Sequence, residues 1–113
     1  MIISILESLS RRVVLKRTLP SRFGHHSLFV TPDSRLSFFR KNLEKVDPHI
    51  ISAAEEFVHD RDTIWDIGTN VGLFSFITAA LAGPSGRVPA AEVDISLVDL
   101  LHRSSQIVSF PSE

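Results

Sequence analysis

The sequence predicts an α/β fold with parallel strands, and three features of the chain support this prediction. From residue 47 onward, helix-like and strand-like segments alternate in the order helix, strand, helix, strand, helix. A glycine-containing turn over 68–72 joins the first of these strands to an apolar helix. Strands that alternate with helices pair in parallel through right-handed crossovers. We therefore expect a small parallel sheet that is covered by helices.

The first part of the chain has weaker patterns. Apolar residues at roughly helical spacing predict an amphipathic helix over 2–17. A short strand is predicted over 28–31, just before a turn that contains proline. The mixed pattern of 35–46 predicts no particular element, although the adjacent Phe38 and Phe39 are expected in the core.

Three helices are predicted in the second part of the chain. Asp47, followed by a proline at the first helical position, predicts the start of a helix over 48–59. An apolar stripe predicts a second helix over 72–82, which the turn G-P-S-G ends. Asp94 is suited to cap a third helix over 95–104.

Three strands are predicted between and after these helices. Residues 63–67 read T-I-W-D-I, which is typical of a buried strand, and we expect Trp65 to pack inside. A second strand is predicted over 87–92. Pro89 removes one hydrogen-bond donor from it, which an edge strand tolerates best. A third strand is expected to begin over 107–110.

Composition excludes several classes of protein. The 113 residues suit one small domain, and a hydrophobic content of 43% is too high for a disordered chain. The absence of cysteine excludes disulfides, thiolate zinc sites and a cysteine nucleophile. The histidines lack ligand spacing, so we expect no metal. Charges interrupt the apolar start of the chain, and turn residues interrupt its longest uncharged stretch. We therefore predict neither a secretory signal nor membrane association. The predicted location is the cytoplasm.

Charge is distributed unevenly along the chain. Residues 1–45 contain nine Lys and Arg but only three Asp and Glu, whereas the remainder contains three and ten. We therefore separate a basic amino-terminal segment, 1–46, from a domain portion at 47–113. A basic arm can contact nucleic acid or an acidic membrane surface. The alternative is a solvated face, or an arm that docks on the acidic half, and no clear nucleic-acid partner is predicted.

The stretch 66–72, D-I-G-T-N-V-G, has the features of a ligand-binding turn. It lies between a strand and a helix, where open α/β sheets bind their ligands. Gly68 permits a tight turn and the close approach of a ligand, and Gly72 lets the helix begin tight against the sheet. The helix N-terminus favours a carboxylate or phosphate. Asp66 can accept hydrogen bonds from an ammonium or hydroxyl group.

Glu92 lies 20 residues after Gly72, at the end of the next predicted strand. An acidic residue at this position can accept the hydroxyls of an adenosine ribose. Asn70 replaces the middle glycine that a dinucleotide pyrophosphate requires, and an acid begins the motif. These residues fit a nucleoside ligand that has an amino-acid end and no pyrophosphate, as S-adenosylmethionine does.

Three motifs carry a resemblance to a known family. W-D-I-G-T-N-V-G-L-F-S-F, then G-P-S-G-R-V, then A-E-V-D resembles the FkbM-type group of class I S-adenosylmethionine-dependent methyltransferases. That group typically has D-x-G-A-N-x-G and a following strand that ends in E-P-D. The similarity covers about residues 63–105, and 28–62 resembles the segment that usually precedes it. Thr69 and Val93 replace the common alanine and proline, and Pro89 interrupts the second strand.

This resemblance implies a partial Rossmann-like fold of three layers, truncated after its second strand–helix unit, with the first half of a cofactor-binding domain at 47–113. The cofactor implied is S-adenosyl-L-methionine. The residues implied to bind it are Asp66, Gly68, Thr69, Asn70 and Gly72 on the methionine side, and Glu92 at the ribose. No metal is implied, and no catalytic residue is assigned.

The resemblance also implies an activity, methyl transfer to a hydroxyl of a small molecule or sugar. Two alternatives remain open. In the first alternative, the chain is a non-catalytic, truncated remnant of such an enzyme. The helix over 72–82 should then expose apolar surface and promote association. In the second alternative, the basic arm makes the chain an adaptor for a membrane surface or nucleic acid.

Overall fold

The structure is a computed structural model that describes Ile2 and residues 13–107. The described chain begins with an antiparallel hairpin of β1 (Leu15–Thr18) and β2 (Ser27–Val30). Side chains of β1 alternate between half-buried and exposed, and the Thr18 and Ser27 hydroxyls are 2.9 Å apart across the pair. The predicted helix over 2–17 is therefore wrong at its end, because pairing with β2 outweighs the local apolar spacing. Residues 3–12 of that prediction lie outside the described residues.

Three single turns of 3-10 helix precede the first α-helix. Ser21–Phe23 lies in the loop of the hairpin, and Leu36–Phe39 and Leu43–Lys45 follow the hairpin. The last two occupy the stretch for which the sequence predicts no element. Phe38 is buried, as expected, whereas Phe39 is exposed. Because the two phenylalanines are adjacent on a short turn, they point in different directions.

The three α-helices begin at the predicted residues or within one residue of them. They are α1 (Pro48–Phe57), α2 (Leu73–Ala82) and α3 (Ile95–Ser105). Asp47 Oδ1 accepts from Ile50 N at 3.2 Å, and Asp94 Oδ1 accepts from Ser96 N at 2.9 Å, so both predicted caps are present. Five of the ten residues of α2 are buried, and its two exposed residues are alanines, so α2 exposes less apolar surface than expected.

The parallel sheet consists of β3 (Asp66–Ile67) and β4 (Ala90–Ala91), and the predicted parallel direction is confirmed. Backbone hydrogen bonds extend the pairing beyond these residues. Asp66 N donates to Pro89 O at 2.9 Å, and Gly68 N donates to Ala91 O at 2.8 Å. The alternation of these bonds requires residue 89 to donate an N–H, which proline lacks. The regular strands are short because this bond is missing.

One face of this parallel pair is uncovered within the described part of the chain. Trp65 is 71% exposed and Ile67 is 74% exposed, whereas Asp66 between them is buried against α2. The expectation that Trp65 packs inside is therefore wrong. Successive side chains of a strand point to opposite faces, and no described element lies over the face of Trp65. The third predicted strand, 107–110, lies outside the described residues beyond Ile107.

A single core connects the two parts of the chain. Its buried apolar members on either side of residue 46 are Leu19, Phe23, Leu28, Val30, Phe38, Leu43 and Val46, and Ile51, Ala54, Val71, Leu73, Ile77 and Leu100. Helix α3 packs on the hairpin, where Phe29 N donates to Ser104 Oγ at 2.8 Å. The described chain is thus a small α/β domain with a short parallel sheet.

Ion pairs also join the basic and acidic parts of the chain. Arg22 lies 3.3 Å from Glu55 of α1, and it also pairs with Glu44 within the basic segment. Arg35 Nη1 lies 3.0 Å from Asp47 Oδ2. These contacts favour the interpretation that the basic segment docks on the acidic half. Among the residues with described positions, no helix has both the length and the apolar character needed to cross a membrane.

Candidate functional site

A cavity of about 450 Å³ lies beside the loop that joins β3 to α2. Four of the six predicted site residues line it, namely Asp66, Gly68, Thr69 and Asn70. The loop therefore brings most of the predicted residues to one space. Cavities of this size commonly hold small molecules, and their walls are mainly apolar with a few polar groups.

Gly68 forms the most open part of the loop. Its φ is +78°, a value that favours glycine, and a Cβ built on it would meet no atom within 4 Å. The glycine is therefore needed for its backbone conformation, and the space beside it is free for a ligand. This agrees with the role that the sequence predicts for Gly68.

Asp66 is buried at the head of the loop, and its carboxylate has a defined orientation. Ser75, in the first turn of α2, donates its hydroxyl hydrogen to Asp66 Oδ2 at 2.6 Å. Among the described residues, Oδ1 has no hydrogen-bond donor, so this oxygen can accept from a ligand. Sequence reasoning missed Ser75, although its place one turn into the helix after an acidic strand end was a usable signal.

Thr69 has a role in holding the loop rather than in offering a free polar group. Its side chain is buried, and Oγ1 is 3.0 Å from Asp66 O and 3.2 Å from Ala91 O. Its backbone N–H donates to Ala91 O at 3.1 Å. Thr69 therefore attaches the loop to β4.

Asn70 and Glu92 connect the two loops at the carboxyl end of the sheet. Asn70 has a φ of +57°, and its N–H donates to Glu92 Oε1 at 2.8 Å. Glu92 Oε2 accepts from Asp94 N at 2.9 Å. The backbone N–H of Asp94, and then that of Asn70, stabilise the carboxylate and hold the pKa of Glu92 below its ordinary value. Glu92 does not line the cavity itself.

Gly72 serves packing rather than the cavity. Its φ is +98°, and a Cβ there would collide with the Leu101 side chain and lie 2.9 Å from the Phe76 ring. The close neighbour of Gly72 is therefore helix α3. Gly72 is not part of the cavity lining.

The cavity lining also includes a pair of charged side chains that sequence reasoning missed. Arg35 Nη1 donates to Asp47 Oδ2 at 3.0 Å, and both residues line the cavity. Burial acts to raise the pKa of Asp47, but the bonds from Arg35 and from Ile50 N outweigh it and leave that pKa lowered. Asp47 is recognisable in the sequence only as a helix cap. Arg35 carries no local signal, because its place at the cavity depends on distant parts of the chain.

The lining combines three charged side chains with apolar ones. Two carboxylates, Asp66 and Asp47, accompany one guanidinium, Arg35. Apolar contact surface comes from residues that include Phe38, Ile50 and Phe74. This arrangement can bind a small molecule that has cationic groups and a carboxylate on a partly apolar frame. Within residue 2 and residues 13–107, no cluster of three or more His, Asp or Glu could hold a metal ion.

Comparisons with protein-family models, with curated proteins and with solved structures found no match to this chain.

Proposed function

We propose that this chain binds S-adenosylmethionine beside the loop of residues 66–72, as a member of the FkbM-type class I methyltransferases. The observation that carries the proposal is the open space at Gly68 next to the oriented carboxylate of Asp66. A ligand frame can lie against the glycine there while its ammonium group reaches Asp66 Oδ1. The partial Rossmann-like fold of three layers that this function implies is part of the proposal.

The charges of the cavity support this ligand. S-adenosylmethionine carries an ammonium, a sulfonium and a carboxylate, and hence one net positive charge. The cavity presents two carboxylates and one guanidinium. Opposite net charges in a partly buried space attract each other more strongly than they do in water.

Glu92 supports the ribose side of the proposal. Each of its oxygens accepts one backbone N–H, at 2.8 Å from Asn70 and 2.9 Å from Asp94. A carboxylate oxygen has capacity for a second hydrogen bond, so both can also accept from ribose hydroxyls. The two backbone bonds hold the carboxylate at the end of β4, beside the loop.

The proposed reaction is methyl transfer to a hydroxyl of a small molecule or sugar. When bound, the sulfonium supplies an activated methyl group: the acceptor oxygen forms a bond to the methyl carbon, the carbon–sulfur bond breaks, and the hydroxyl proton is released. The chain's own contribution is to bind and orient the cofactor, which lowers the entropic part of the barrier. No residue is assigned as the base.

The test is isothermal calorimetry with S-adenosylhomocysteine on the full chain and on Gly68→Ala. Gly24→Ala is the matched control, because Gly24 has the same φ of +78° and likewise no atom within 4 Å of a built Cβ. Both variants carry the same backbone strain. We expect affinity to fall at least about tenfold in Gly68→Ala alone, because the methyl group occupies the ligand's space. Equal affinity in the two variants would contradict the proposed site.

A second candidate, a cofactor-binding chain without turnover, is favoured by the exposed sheet face of Trp65 and Ile67. Parallel sheets in complete α/β enzymes are covered on both faces. Incubation with methyl-labelled S-adenosylmethionine and a panel of hydroxyl compounds distinguishes the two candidates. Labelled product identifies an enzyme, whereas binding without product identifies the non-catalytic form.

A further inference from the structure

We infer that Arg35 binds the carboxylate at the amino-acid end of the ligand and that Asp47 positions it. This inference rests on the proposed function and adds a specificity residue to it. Arg35 stands outside the loop motif, and it contributes the only positively charged side chain to the described cavity lining.

The guanidinium has donors to spare. Only Nη1 is used in the described contacts, in the bond to Asp47 Oδ2. A guanidinium has five N–H donors in a planar fork, and this fork matches the two oxygens of a carboxylate. The Arg35 side chain is 48% exposed, so its remaining donors are accessible.

Asp47 holds Arg35 in place from a rigid support. Its side chain is only 17% exposed, and Oδ1 is fixed by the N–H of Ile50 in the first turn of α1. The other oxygen then holds Arg35 at the cavity. A side chain that is already held in position loses less conformational freedom when it binds a ligand.

Arg35 and Asp66 together define the direction of an amino-acid group. The ammonium end fits Asp66, and the carboxylate end fits Arg35. The reverse orientation would place the ligand carboxylate against Asp66, and this like-charge contact is unfavourable in a partly buried space. The cavity should therefore select ligands by their amino-acid end as well as by their nucleoside.

Two probes separate this end from the rest of the ligand. S-adenosylhomocysteine has the amino-acid end, whereas 5′-methylthioadenosine has the same nucleoside and thioether without it. Calorimetry should show that Arg35→Met weakens S-adenosylhomocysteine about 10- to 100-fold, the range for a charge-assisted hydrogen bond. The affinity for methylthioadenosine should stay within about twofold. Arg40→Met, on an exposed residue outside the cavity lining, is the control and should change neither affinity.

A purely structural role for Arg35 gives a different pattern. If Arg35 only supports Asp47 and α1, then Arg35→Met should lower the affinity for both ligands equally, and that result would overturn the inference.

Arg35→Lys keeps the ion pair and guards against a misfolded variant. We expect it to lose part of the S-adenosylhomocysteine affinity and none of the methylthioadenosine affinity. An unchanged affinity ratio in both Arg35 variants would also overturn the inference, while ligand binding itself preserves the proposed function. If the unmodified chain binds neither of the two probes, that result would overturn both the inference and the proposed function.

Discussion

The backbone N–H of Asn70 donates to Glu92 Oε1 at 2.8 Å, and this bond joins the first loop of the parallel sheet to the second. Asn70 has a positive φ, so its N–H points away from the direction that a helix or strand would give it. The bond thus stabilises an unusual backbone conformation from outside the loop. It also makes Glu92 part of the local structure before any ligand binds.

We predict that Glu92→Gln lowers the free energy of unfolding by about 1 kcal/mol at pH 7, since a partly exposed carboxylate loses its charge-assisted bonds. The pKa of Glu92 is lowered in the folded chain, so its stabilisation is present above the unfolded value and is lost as pH falls through the folded value. The difference between the two proteins in urea unfolding should therefore shrink below about pH 4. Glu56→Gln, on the exposed side of α1, is the control. A difference that grows on acidification would contradict this assignment.

Gly72→Ala should destabilise the chain more than Gly24→Ala. Both positions have positive φ, but only at Gly72 would the new methyl group meet the Leu101 side chain and the Phe76 ring. We expect a loss of about 2–4 kcal/mol at Gly72, where strain and overpacking add, and about 1 kcal/mol at Gly24. Urea unfolding of the two variants measures both values. Similar losses would mean that α3 does not pack closely on Gly72.

Ser75→Ala should affect both stability and ligand affinity, because it removes the donor to the buried carboxylate of Asp66. We expect a loss of about 1–3 kcal/mol, the cost of leaving a buried acceptor unsatisfied. Ser52→Ala, on an exposed position of α1, should be neutral or slightly stabilising. Thermal unfolding and S-adenosylhomocysteine calorimetry test the pair of variants. An unchanged stability for Ser75→Ala would show that Asp66 finds another donor.

Trp65 is the single tryptophan of the chain and is largely exposed, so its fluorescence reports on one known face. We predict strong quenching by acrylamide at low protein concentration. Protection that increases with concentration, together with a larger sedimentation coefficient, would show that copies of the chain cover this face. Protection that is independent of concentration would contradict the exposed position of Trp65.

The parts of the fold that the sequence predicts well are those with local causes. Asp47 and Asp94 each cap a helix by bonding to an N–H two or three residues away, and both caps are evident in the sequence. Gly68 is similarly predictable, because a strand-to-helix turn needs a residue that accepts positive φ. These features depend on short stretches of chain.

The features that the sequence does not predict depend on distant contacts. Trp65 lies in a stretch whose composition is typical of a buried strand, but its burial requires a neighbouring layer over its face of the sheet. Residues 15–17 fall at the end of the predicted helix, yet pairing with Ser27–Val30 makes Leu15–Thr18 a strand. Arg35 lines the cavity and pairs there with Asp47, which is 12 residues away. Local patterns contain no record of such contacts.

Pro89 has a consequence for how the sheet opens. The ladder between the two parallel segments lacks a donor at this position, so relatively few backbone bonds restrain β4 and the loop that carries Glu92. Opening of residues 89–91 would release the amides of Asp66 and Gly68 together, because they donate to Pro89 O and Ala91 O. Their hydrogen exchange should therefore follow one shared local unfolding event. A ligand that contacts both loops would slow hydrogen exchange at these two amides first. Binding would therefore be detected as a local decrease in exchange rate.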